Sequence, residues 1–460
     1  MNVRTDRIPG DPATAPTTSP GADAAPRPAP GPEDAHPRSV VVVGAGLAGA
    51  QTVAALRAHG FAGHVTLLGA EGVPPYDRPP LSKELLTRPA PVWLRDDIGV
   101  DVEKLADDVR LADPATHLAS PGSPGPGASH GPVAVTTASG ARLEADAVVV
   151  AAGSEPVRPA GWESAAVLHT VDDAERLRGA LRERPGLRLV VVGAGWIGAE
   201  LAGVAAGAGA DVTVVEAAAS PLTRQLGAEV GAHLAPWYAA AGVRLLTGVP
   251  VAGVRSDGVA LASGQDLPAD LVLAAVGARP ATRWLAGSLP LDARGSILVD
   301  GHGAVPGHPG VWALGDVASR AHPVFGTVPG GHWSAALHDP DTTVRAMLGV
   351  EPAPAHAPYV FSQQLGHDLA LLGVPADDGA AHGPVVWRGR PGDGPWAAFY
   401  LDDGAGVPAD GVATVRAVLL VDSPRDVGGV RRLMNRGEPL RLDLARVADP
   451  AVRIKDAVAD

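Results

Sequence analysis

The sequence predicts an α/β protein with two doubly wound parallel sheets and a smaller C-terminal domain. Two glycine-rich segments predict the sheets, because each follows a run of apolar residues and precedes a stretch rich in alanine and leucine. These segments are Gly44-Ala-Gly46-Leu-Ala-Gly49 and Gly193-Ala-Gly195-Trp-Ile-Gly198. Each is typical of a buried strand that turns sharply into a helix. The third observation is a stretch rich in Pro and Gly from Gly349 to Pro358, which predicts a boundary before the C-terminal domain.

Both glycine segments have the spacing of a dinucleotide-binding turn. The first glycine permits a tight turn, the second lets a pyrophosphate approach the backbone, and the third allows close packing of helix on strand. The N-terminus of the following helix offers unpaired N–H groups to a phosphate. The sequence therefore predicts two bound dinucleotides, one at each turn.

An acidic residue after the next strand would accept the ribose hydroxyls of such a nucleotide. In the second copy the strand at residues 211–215 leads into Glu216. Since a carboxylate there repels a 2′-phosphate, we expect NADH to be preferred over NADPH, and Arg224 is the residue that would weaken this preference. In the first copy Ala70 follows the strand, and Glu71 is the one acid at hand. A solvated loop glutamate is the alternative interpretation of Glu71.

Composition limits the chemistry and the partners. The 37 Lys and Arg against 50 Asp and Glu give a formal charge of −13, which argues against nonspecific binding to nucleic acid or anionic membranes. The sequence has no cysteine, so disulfides, thiolate metal sites and a redox-active dithiol are excluded. Its 15 histidines show no close pairing of a helical metal motif, and no metal site is expected. Lacking a long apolar run and a signal-peptide pattern, the chain is expected to be cytoplasmic.

Two segments are expected to lie outside the packed domains. Residues 1–37 are dominated by Pro, Ala, Gly and Asp, which predicts a disordered tail. Residues 120–132 alternate Ser, Pro and Gly, which would break a helix or a strand and therefore indicate an insertion in a surface loop.

The box Tyr76-Asp-Arg-Pro-Pro-Leu-Ser-Lys83 resembles the FAD-dependent, NADH-linked ferredoxin and rubredoxin reductases that supply electrons to oxygenases. The resemblance spans residues 38 to about 436. It is carried further by both glycine segments, Val148 to Gly153, Val276 to Pro280, Trp312 to Ala318, His332-Trp333, Phe399 to Gly404 and Ser423 to Asp426. It implies a pyridine nucleotide-disulfide oxidoreductase fold without redox cysteines, FAD as cofactor, NADH as co-substrate, and delivery of single electrons to a ferredoxin-type iron–sulfur protein.

The resemblance also implies the domain order. Because Asp316, a residue expected to bind FAD, follows the second glycine segment, the FAD-binding domain is interrupted. We expect it at 38–155 and 276–345, with the NADH-binding domain inserted at 156–275. An α+β interface domain is expected at 346–460.

Lysine occurs only at Lys83, Lys104 and Lys455, beside 34 arginines, so a lysine in this box suggests a chemical reason for a compact ammonium. The resemblance implies that Lys83 lies beside the flavin ring and pairs with Glu200, making these the catalytic residues. A surface lysine and a helix-face glutamate are the alternative. The cofactor-binding residues that the resemblance implies are Gly44, Gly46, Ala48, Gly49, Glu71, Arg78, Lys83, Val109, Gly315, Asp316, Trp333, Gly193, Gly195, Gly198, Glu216 and Gly277.

Five positions near these residues differ from what is usual in the family. They are Ala70, His169, Gly331, Ala335 and Phe361. Near the C-terminus, six arginines against three acids between Arg425 and Arg446 suggest a docking patch for an acidic ferredoxin around Arg431 and Arg432. Arginines that cover the apolar face of the last helix are the alternative. Two other functions stay open: an NADH oxidase or disulfide reductase on the same scaffold, and a flavin-binding protein with an assembly or regulatory role.

Overall fold

The computed structural model describes residues 36–121, 131–351, 353–376, 380–402 and 410–459. Nearly all of the predicted tail and most of the predicted loop insertion lie outside these residues. Among the described residues no helix is both long and apolar enough to cross a membrane.

The described residues of the first part of the chain form ten strands and four helices. They are β1 (Ser39–Val43), α1 (Leu47–Ala58), β2 (His64–Leu68), β3 (Tyr76–Asp77), α2 (Pro80–Lys83), β4 (Val92–Trp93), α3 (Leu94–Asp97), α4 (Val102–Leu105), β5 (Asp108–Arg110), β6 (Ala115–Ala119), β7 (Val133–Thr137), β8 (Arg142–Ala145), β9 (Ala147–Val150) and β10 (Ser154–Pro156).

The middle part contains α5 (Val171–Glu183), β11 (Arg188–Val192), α6 (Trp196–Gly207), β12 (Asp211–Val215), α7 (Thr223–Ala240), β13 (Arg244–Leu246), β14 (Val251–Arg255), β15 (Gly258–Leu261), β16 (Asp266–Pro268), β17 (Leu271–Ala274) and β18 (Ala278–Pro280). The remainder contains β19 (Ile297–Val299), β20 (Val311–Ala313), β21 (Ala318–His322), β22 (Gly326–Pro329), α8 (Trp333–Met347), β23 (Tyr359–Gln364), β24 (His367–Gly373), β25 (Val385–Arg388), β26 (Trp396–Leu401), β27 (Val412–Val421), α9 (Pro424–Met434), β28 (Leu440–Asp443) and α10 (Leu444–Ala448). Short 3₁₀ helices cover Arg283–Leu285, Gly315–Val317 and Ile454–Ala457.

The first parallel sheet has the strand order β20-β9-β1-β2-β5. Its central strand β1 is a run of valines, and Val40, Val41, Val42 and Val43 are all buried because helices and loops cover both faces of a parallel sheet. The strand β20 enters from far along the chain, so two separate segments build this one sheet. The antiparallel β6-β7-β8 unit connects β5 to β9.

The second parallel sheet repeats this plan with the order β13-β12-β11-β17, and an antiparallel β14-β15-β16 unit precedes β17. The chain passes from the first sheet to the second after β10 and returns through β18. These two crossings pair with each other as an antiparallel ribbon, in which Glu155 lies opposite Arg279. The sequence-predicted crossing points, after residue 155 and before residue 276, lie on or beside this ribbon.

The C-terminal sheet is antiparallel, with the order β23-β24-β27-β26-β25 and β28 paired to β27. One face packs on α9 through residues such as Leu433 and Leu372. The other face packs on α7, where Leu234 and Trp237 contact the same apolar cluster as Leu419. The C-terminal sheet is therefore fixed to α7, the helix that follows β12 of the second parallel sheet.

Candidate active site

A cavity of about 1160 Å³ extends past both glycine turns, at the carboxyl ends of the parallel strands. Ligands of doubly wound proteins bind at this edge. Most of the predicted site residues line it: Gly44, Gly46, Ala48, Glu71, Arg78, Lys83, Gly193, Gly195, Glu200, Glu216, Gly277, Asp316 and Trp333. Four do not line it: Gly49, Val109, Gly198 and Gly315.

The outer glycines of each turn are required by packing. A Cβ on Gly44, whose φ is +117°, would lie 2.1 Å from the carbonyl oxygen of Ala151, and a Cβ on Gly49 would lie 1.8 Å from that of Gly44. The second turn repeats this, since Gly193 has φ +106° and a Cβ on Gly198 would lie 2.1 Å from the Gly193 oxygen. These glycines hold strand and helix together, which is why the third of each turn does not face the cavity.

The middle glycines face open space, which is the room that a pyrophosphate needs. A Cβ on Gly46 or Gly195 would meet no protein atom within 4 Å. Each is the N-cap residue of its helix, and neither α1 nor α6 has a side-chain cap or an acidic residue in its first turn. The N–H groups at both helix starts are thus left to a phosphate, so the residues present fit FAD at the first turn and NADH at the second.

Two residues expected to bind the cofactor lie elsewhere. Val109, expected near the adenine, pairs opposite Leu67 on the edge strand β5, packs half-buried against the core of the first sheet, and does not line the cavity. Gly315, with φ +68°, lies behind Ala48, and a Cβ there would be 3.1 Å from the Ala48 methyl carbon. Gly315 therefore packs against Ala48, a residue of the cavity wall, and does not itself line the cavity.

Asp316 follows directly and presents its carboxylate to the cavity. The Ser154 hydroxyl donates to Oδ2 at 2.8 Å, and the Gly331 backbone N–H donates to Oδ1 at 3.2 Å. These two donors fix the carboxylate, which can accept further hydrogen bonds from ligand hydroxyls. Gly331, with φ +95°, lets the chain turn toward Asp316 before α8.

Glu71 reaches the cavity but already has protein partners. The Tyr76 hydroxyl donates to its Oε2 at 2.6 Å, and the Arg78 guanidinium pairs with its Oε1. Arg78 also donates to the His169 carbonyl. Burial, and next the positive charge of Arg78, lower the pKa of His169, which favours its neutral form. Arg78 thus supplies a fixed positive charge beside the position where this sequence has histidine.

Lys83 and Glu200 form an ion pair of 2.9 Å between Nζ and Oε1 on the cavity wall. The Lys83 side chain is 11% exposed and that of Glu200 only 1%. The Ser82 hydroxyl donates to Glu200 Oε2, and the Ser362 hydroxyl donates to Oε1. The Lys83 ammonium also lies 4.9 Å from the centre of the Phe361 ring, within range of a cation–π contact.

Trp333 contacts two further side chains of this wall. Its indole N–H donates to Asp77 Oδ1 at 2.9 Å, and its ring meets that of Phe361 edge to face at 5.8 Å. Burial raises the pKa of Asp77. Sequence reasoning singled out neither Asp77 nor Ser362. Asp77 stood inside the family box, and Ser362 follows Phe361, one of the noted departures.

Glu216, the acidic residue predicted for the second glycine turn, lies against that turn. Glu216 accepts hydrogen bonds from the backbone N–H groups of Ala194 at 2.7 Å and Ala218 at 2.8 Å. The carboxylate is therefore held against the turn itself, and it lines the cavity together with Arg224. Among the residues that the structure describes, no cluster of three or more His, Asp or Glu side chains is arranged to hold a metal ion.

The predicted docking arginines lie on α9, where Arg431 and Arg432 are both exposed. Burial and, to a smaller extent, the positive charge of Arg431 lower the pKa of His338 and of His356, whose rings stack at 4.1 Å. Burial, then the neighbouring His356 and Arg431, lower the pKa of His338 to about 4. Burial raises the pKa of Tyr359, and the positive charge of Arg431 opposes this rise. The Tyr359 ring stacks on that of Phe361, on the cavity wall, at 6.1 Å.

Comparisons with known proteins agree with this geometry. Residues 38–339 match the family described as pyridine nucleotide-disulphide oxidoreductase, and residues 359–458 match the reductase C-terminal family. The chain is 31% identical over 440 residues to a probable ferredoxin reductase, CtmF, of Castellaniella defragrans, covering 90% of this chain and 97% of the relative. It is 32% identical over 441 residues to the ferredoxin reductase component of a chlorobenzene dioxygenase of Cupriavidus sp., covering 91% and 97%.

Among solved structures, the covalent putidaredoxin reductase–putidaredoxin complex matches with a TM-score of 0.80 and 26% identity, covering 91% of this chain and 98% of that one. The two family matches together take in both glycine turns, the Lys83–Glu200 pair and the C-terminal sheet. The chain is thus an oxidoreductase of the pyridine nucleotide-disulphide oxidoreductase family, with FAD as cofactor and NADH as co-substrate, that carries a reductase C-terminal domain and no redox cysteine.

Proposed function

We propose that this protein oxidises NADH and passes the two electrons singly to a ferredoxin-type iron–sulfur protein of an oxygenase system. One NADH and two oxidised ferredoxins would give NAD⁺, two reduced ferredoxins and one proton. The observation that supports this most is a single cavity shared by two nucleotide turns, with the Lys83–Glu200 pair on its wall. Relatives named as ferredoxin reductase components of dioxygenase systems support the choice of acceptor.

FAD, when bound, supplies hydride acceptance and one-electron release, which no side chain of this protein can perform. The chain would hold it through the N–H groups of the first turn, with Asp316 accepting from its hydroxyls and Arg78 supplying positive charge. The second turn and Glu216 would hold NADH. Lys83 would place an ammonium on the cavity wall, and the apolar rings of Trp333 and Phe361 would limit the access of water there.

We place ferredoxin docking at the exposed arginines Arg431 and Arg432. Two features support this position. The first is the local positive excess in a chain whose total charge is −13, since an acidic partner would be attracted to it. The second is the aromatic series of Tyr359, Phe361 and Trp333, with ring centres 6.1 and 5.8 Å apart, between the arginine-bearing helix and the cavity.

The domain limits given above and the cofactor-contacting residues are part of the same proposal, and so is a cytoplasmic location, where NADH is available as electron donor. The disulfide reductase alternative lacks a chemical basis, because the chain has no cysteine. The oxidase and flavin-binding alternatives differ from the proposal in what happens after NADH is added.

Anaerobic mixing of the purified holoprotein with NADH tests the proposal. Rapid bleaching of the flavin absorbance, followed by its return when an oxidised [2Fe–2S] ferredoxin is added, is expected. A flavin that stays oxidised would favour the binding protein, and a reduced flavin that oxygen reoxidises quickly but ferredoxin does not would favour the oxidase. A colourless protein that takes up no FAD on reconstitution would contradict the whole assignment.

A further inference from the structure

We propose that Ser362 and Gln364, on strand β23 of the C-terminal sheet, are positioning residues for the Lys83–Glu200 pair. This inference rests on the proposed function, because the pair matters only if NADH reduces a flavin in this cavity. It gives the C-terminal sheet a part in the first half-reaction as well as in ferredoxin docking.

The buried carboxylate of Glu200 requires hydrogen-bond donors in addition to the ammonium of Lys83. It is 1% exposed, and a buried carboxylate is costly unless several donors compensate for the lost water. The donors come from two separate segments of the chain: Lys83 and Ser82 from α2, and Ser362 from β23. Glu200 itself lies on α6, so its carboxylate joins elements of both parallel-sheet regions and of the C-terminal sheet.

Gln364 orients the hydroxyl of Ser362. The two residues are separated by one position on β23 and therefore lie on the same side of the strand, where they are 2% and 1% exposed. The Gln364 side-chain amide donates to the Ser362 oxygen at 3.0 Å. This occupies an acceptor site of the hydroxyl and leaves its hydrogen for Glu200. Gln364 Oε1 is buried without a hydrogen-bond partner among the described residues.

The helix that bears Glu200 is pressed against this strand. Gly203 lies one turn along α6 on the same face, and a Cβ there would be 3.0 Å from the backbone nitrogen of Leu365, directly after β23. The distance between Glu200 and Ser362 is therefore set by close backbone contact. Loss of the Ser362 hydroxyl cannot be relieved by a large shift of either element.

Removing that hydroxyl changes the charge seen from the cavity. With one donor fewer, the Glu200 carboxylate attracts the Lys83 ammonium more strongly and draws it away from Phe361. The positive charge facing the cavity then decreases. An ammonium on this wall stabilises negative charge on a reduced flavin, so its withdrawal lowers the reduction potential and slows reduction.

The test compares Ser362→Ala with the wild-type holoprotein in stopped-flow reduction by saturating NADH and in flavin potentiometry. A hydrogen bond to a charged group is worth enough to change a rate about tenfold. We expect reduction to slow by about that factor, the apparent Kd for NADH to change less than twofold, and the potential to become more negative. In a Glu200→Gln background, the same substitution should have less than a twofold effect, because Ser362 acts through the carboxylate.

Ser319→Ala is the matched control. It removes another buried hydroxyl that donates to a carboxylate, that of Asp292 at 3.4 Å, and neither residue lines the cavity. If Ser362→Ala does not retain FAD, Gln364→Leu takes its place. We expect it to slow flavin reduction and to make the potential more negative, both by less than Ser362→Ala.

Wild-type rate and potential in Ser362→Ala, or a full tenfold loss on top of Glu200→Gln, would overturn the inference. These outcomes require a wild-type protein that NADH reduces. Failure of the proposed function would instead show as a wild-type flavin that stays oxidised, so the two failures are distinguishable.

Discussion

The ammonium of Lys83 lies 2.9 Å from the carboxylate of Glu200, at a point where α2 of the first sheet region meets α6 of the second. The pair is nearly excluded from water, yet both residues line the cavity that the two nucleotide turns share. A buried ion pair is weak evidence for a stabilising role, because desolvation offsets most of the attraction. Its position on the cavity wall is what gives it a functional interpretation.

Lys83→Ala should slow reduction of the bound flavin by NADH by about 10²-fold, the order expected when one preorganised charge is removed. Lys104→Ala provides the control, because the side chain of Lys104 is 81% exposed and pairs with Asp101 at the surface, away from the cavity. Stopped-flow absorbance at saturating NADH measures the rate. Equal rates in Lys83→Ala and Lys104→Ala would rule out a part for Lys83 in this step.

The nucleotide preference should depend on Glu216. We expect kcat/KM to favour NADH over NADPH by at least about tenfold, because the carboxylate fixed by the N–H groups of Ala194 and Ala218 would repel a 2′-phosphate. Glu216→Ala should reduce the ratio of kcat/KM for NADH to that for NADPH. The double variant Glu216→Ala with Arg224→Ala should have a lower kcat/KM for NADPH than Glu216→Ala alone. Comparable kcat/KM values for the two nucleotides in the wild type would contradict the prediction.

Two glycines of the first turn should respond differently to alanine. Gly46→Ala introduces a methyl group that meets no protein atom within 4 Å, so thermal unfolding of the FAD-free protein should be unchanged while its affinity for FAD falls. Gly44→Ala places a Cβ 2.1 Å from the Ala151 oxygen at φ +117°, so the fold itself should lose stability. Calorimetry and flavin titration measure the two effects, and equal loss of FAD-free stability in both variants would disprove the distinction.

The free energy of unfolding should fall in mild acid, partly through His338. Its pKa in the folded protein is about 4 against an ordinary value of 6.5, lowered first by burial and then by His356, Arg431 and His332, with Asp341 opposing. As the pH falls, the unfolded chain binds this proton first. The contribution is thus complete above pH 6.5 and is lost toward pH 4, at no more than about 1.4 kcal/mol per pH unit.

His338→Gln should therefore flatten the dependence of unfolding free energy on pH between 6.5 and 4, measured by urea denaturation. The exposed His302 offers the matched substitution His302→Gln, which should leave the slope as it is. An unchanged slope in His338→Gln would show that other groups govern the acid sensitivity.

Charge reversal on α9 should weaken ferredoxin reduction. Arg431→Glu with Arg432→Glu is expected to lower the rate at low ionic strength by at least about tenfold and to remove most of its decline with added salt, because steering of an acidic partner is screened by salt. Reduction of the flavin by NADH should be unaffected. The pair Arg142→Glu with Arg244→Glu makes the same change of charge at other exposed positions. Docking elsewhere would show as equal salt dependence in the two double variants.

The local motifs were readable from the sequence because their causes are local. A buried valine strand, three glycines and an alanine-rich helix fit together within about 20 residues, and Gly44, Gly46, Gly193 and Gly195 all line the cavity as the spacing predicts. The absence of cysteine excluded dithiol chemistry without any structure. The resemblance added FAD, NADH and the family, which the comparisons confirmed.

Tertiary structure decided which side chains meet. The pairing of β5 with β2 packed the half-buried Val109 against the core of the first sheet, the chain after β2 brought Tyr76 and Arg78 onto Glu71, and the packing of β23 on α6 brought Ser362 to Glu200. None of these contacts follows from residue type or spacing, because partners distant in the chain are selected by how whole sheets and helices pack. The sequence by itself determined two nucleotide turns and their chemistry, and only the folded chain determined how one buried carboxylate connects them to the C-terminal sheet.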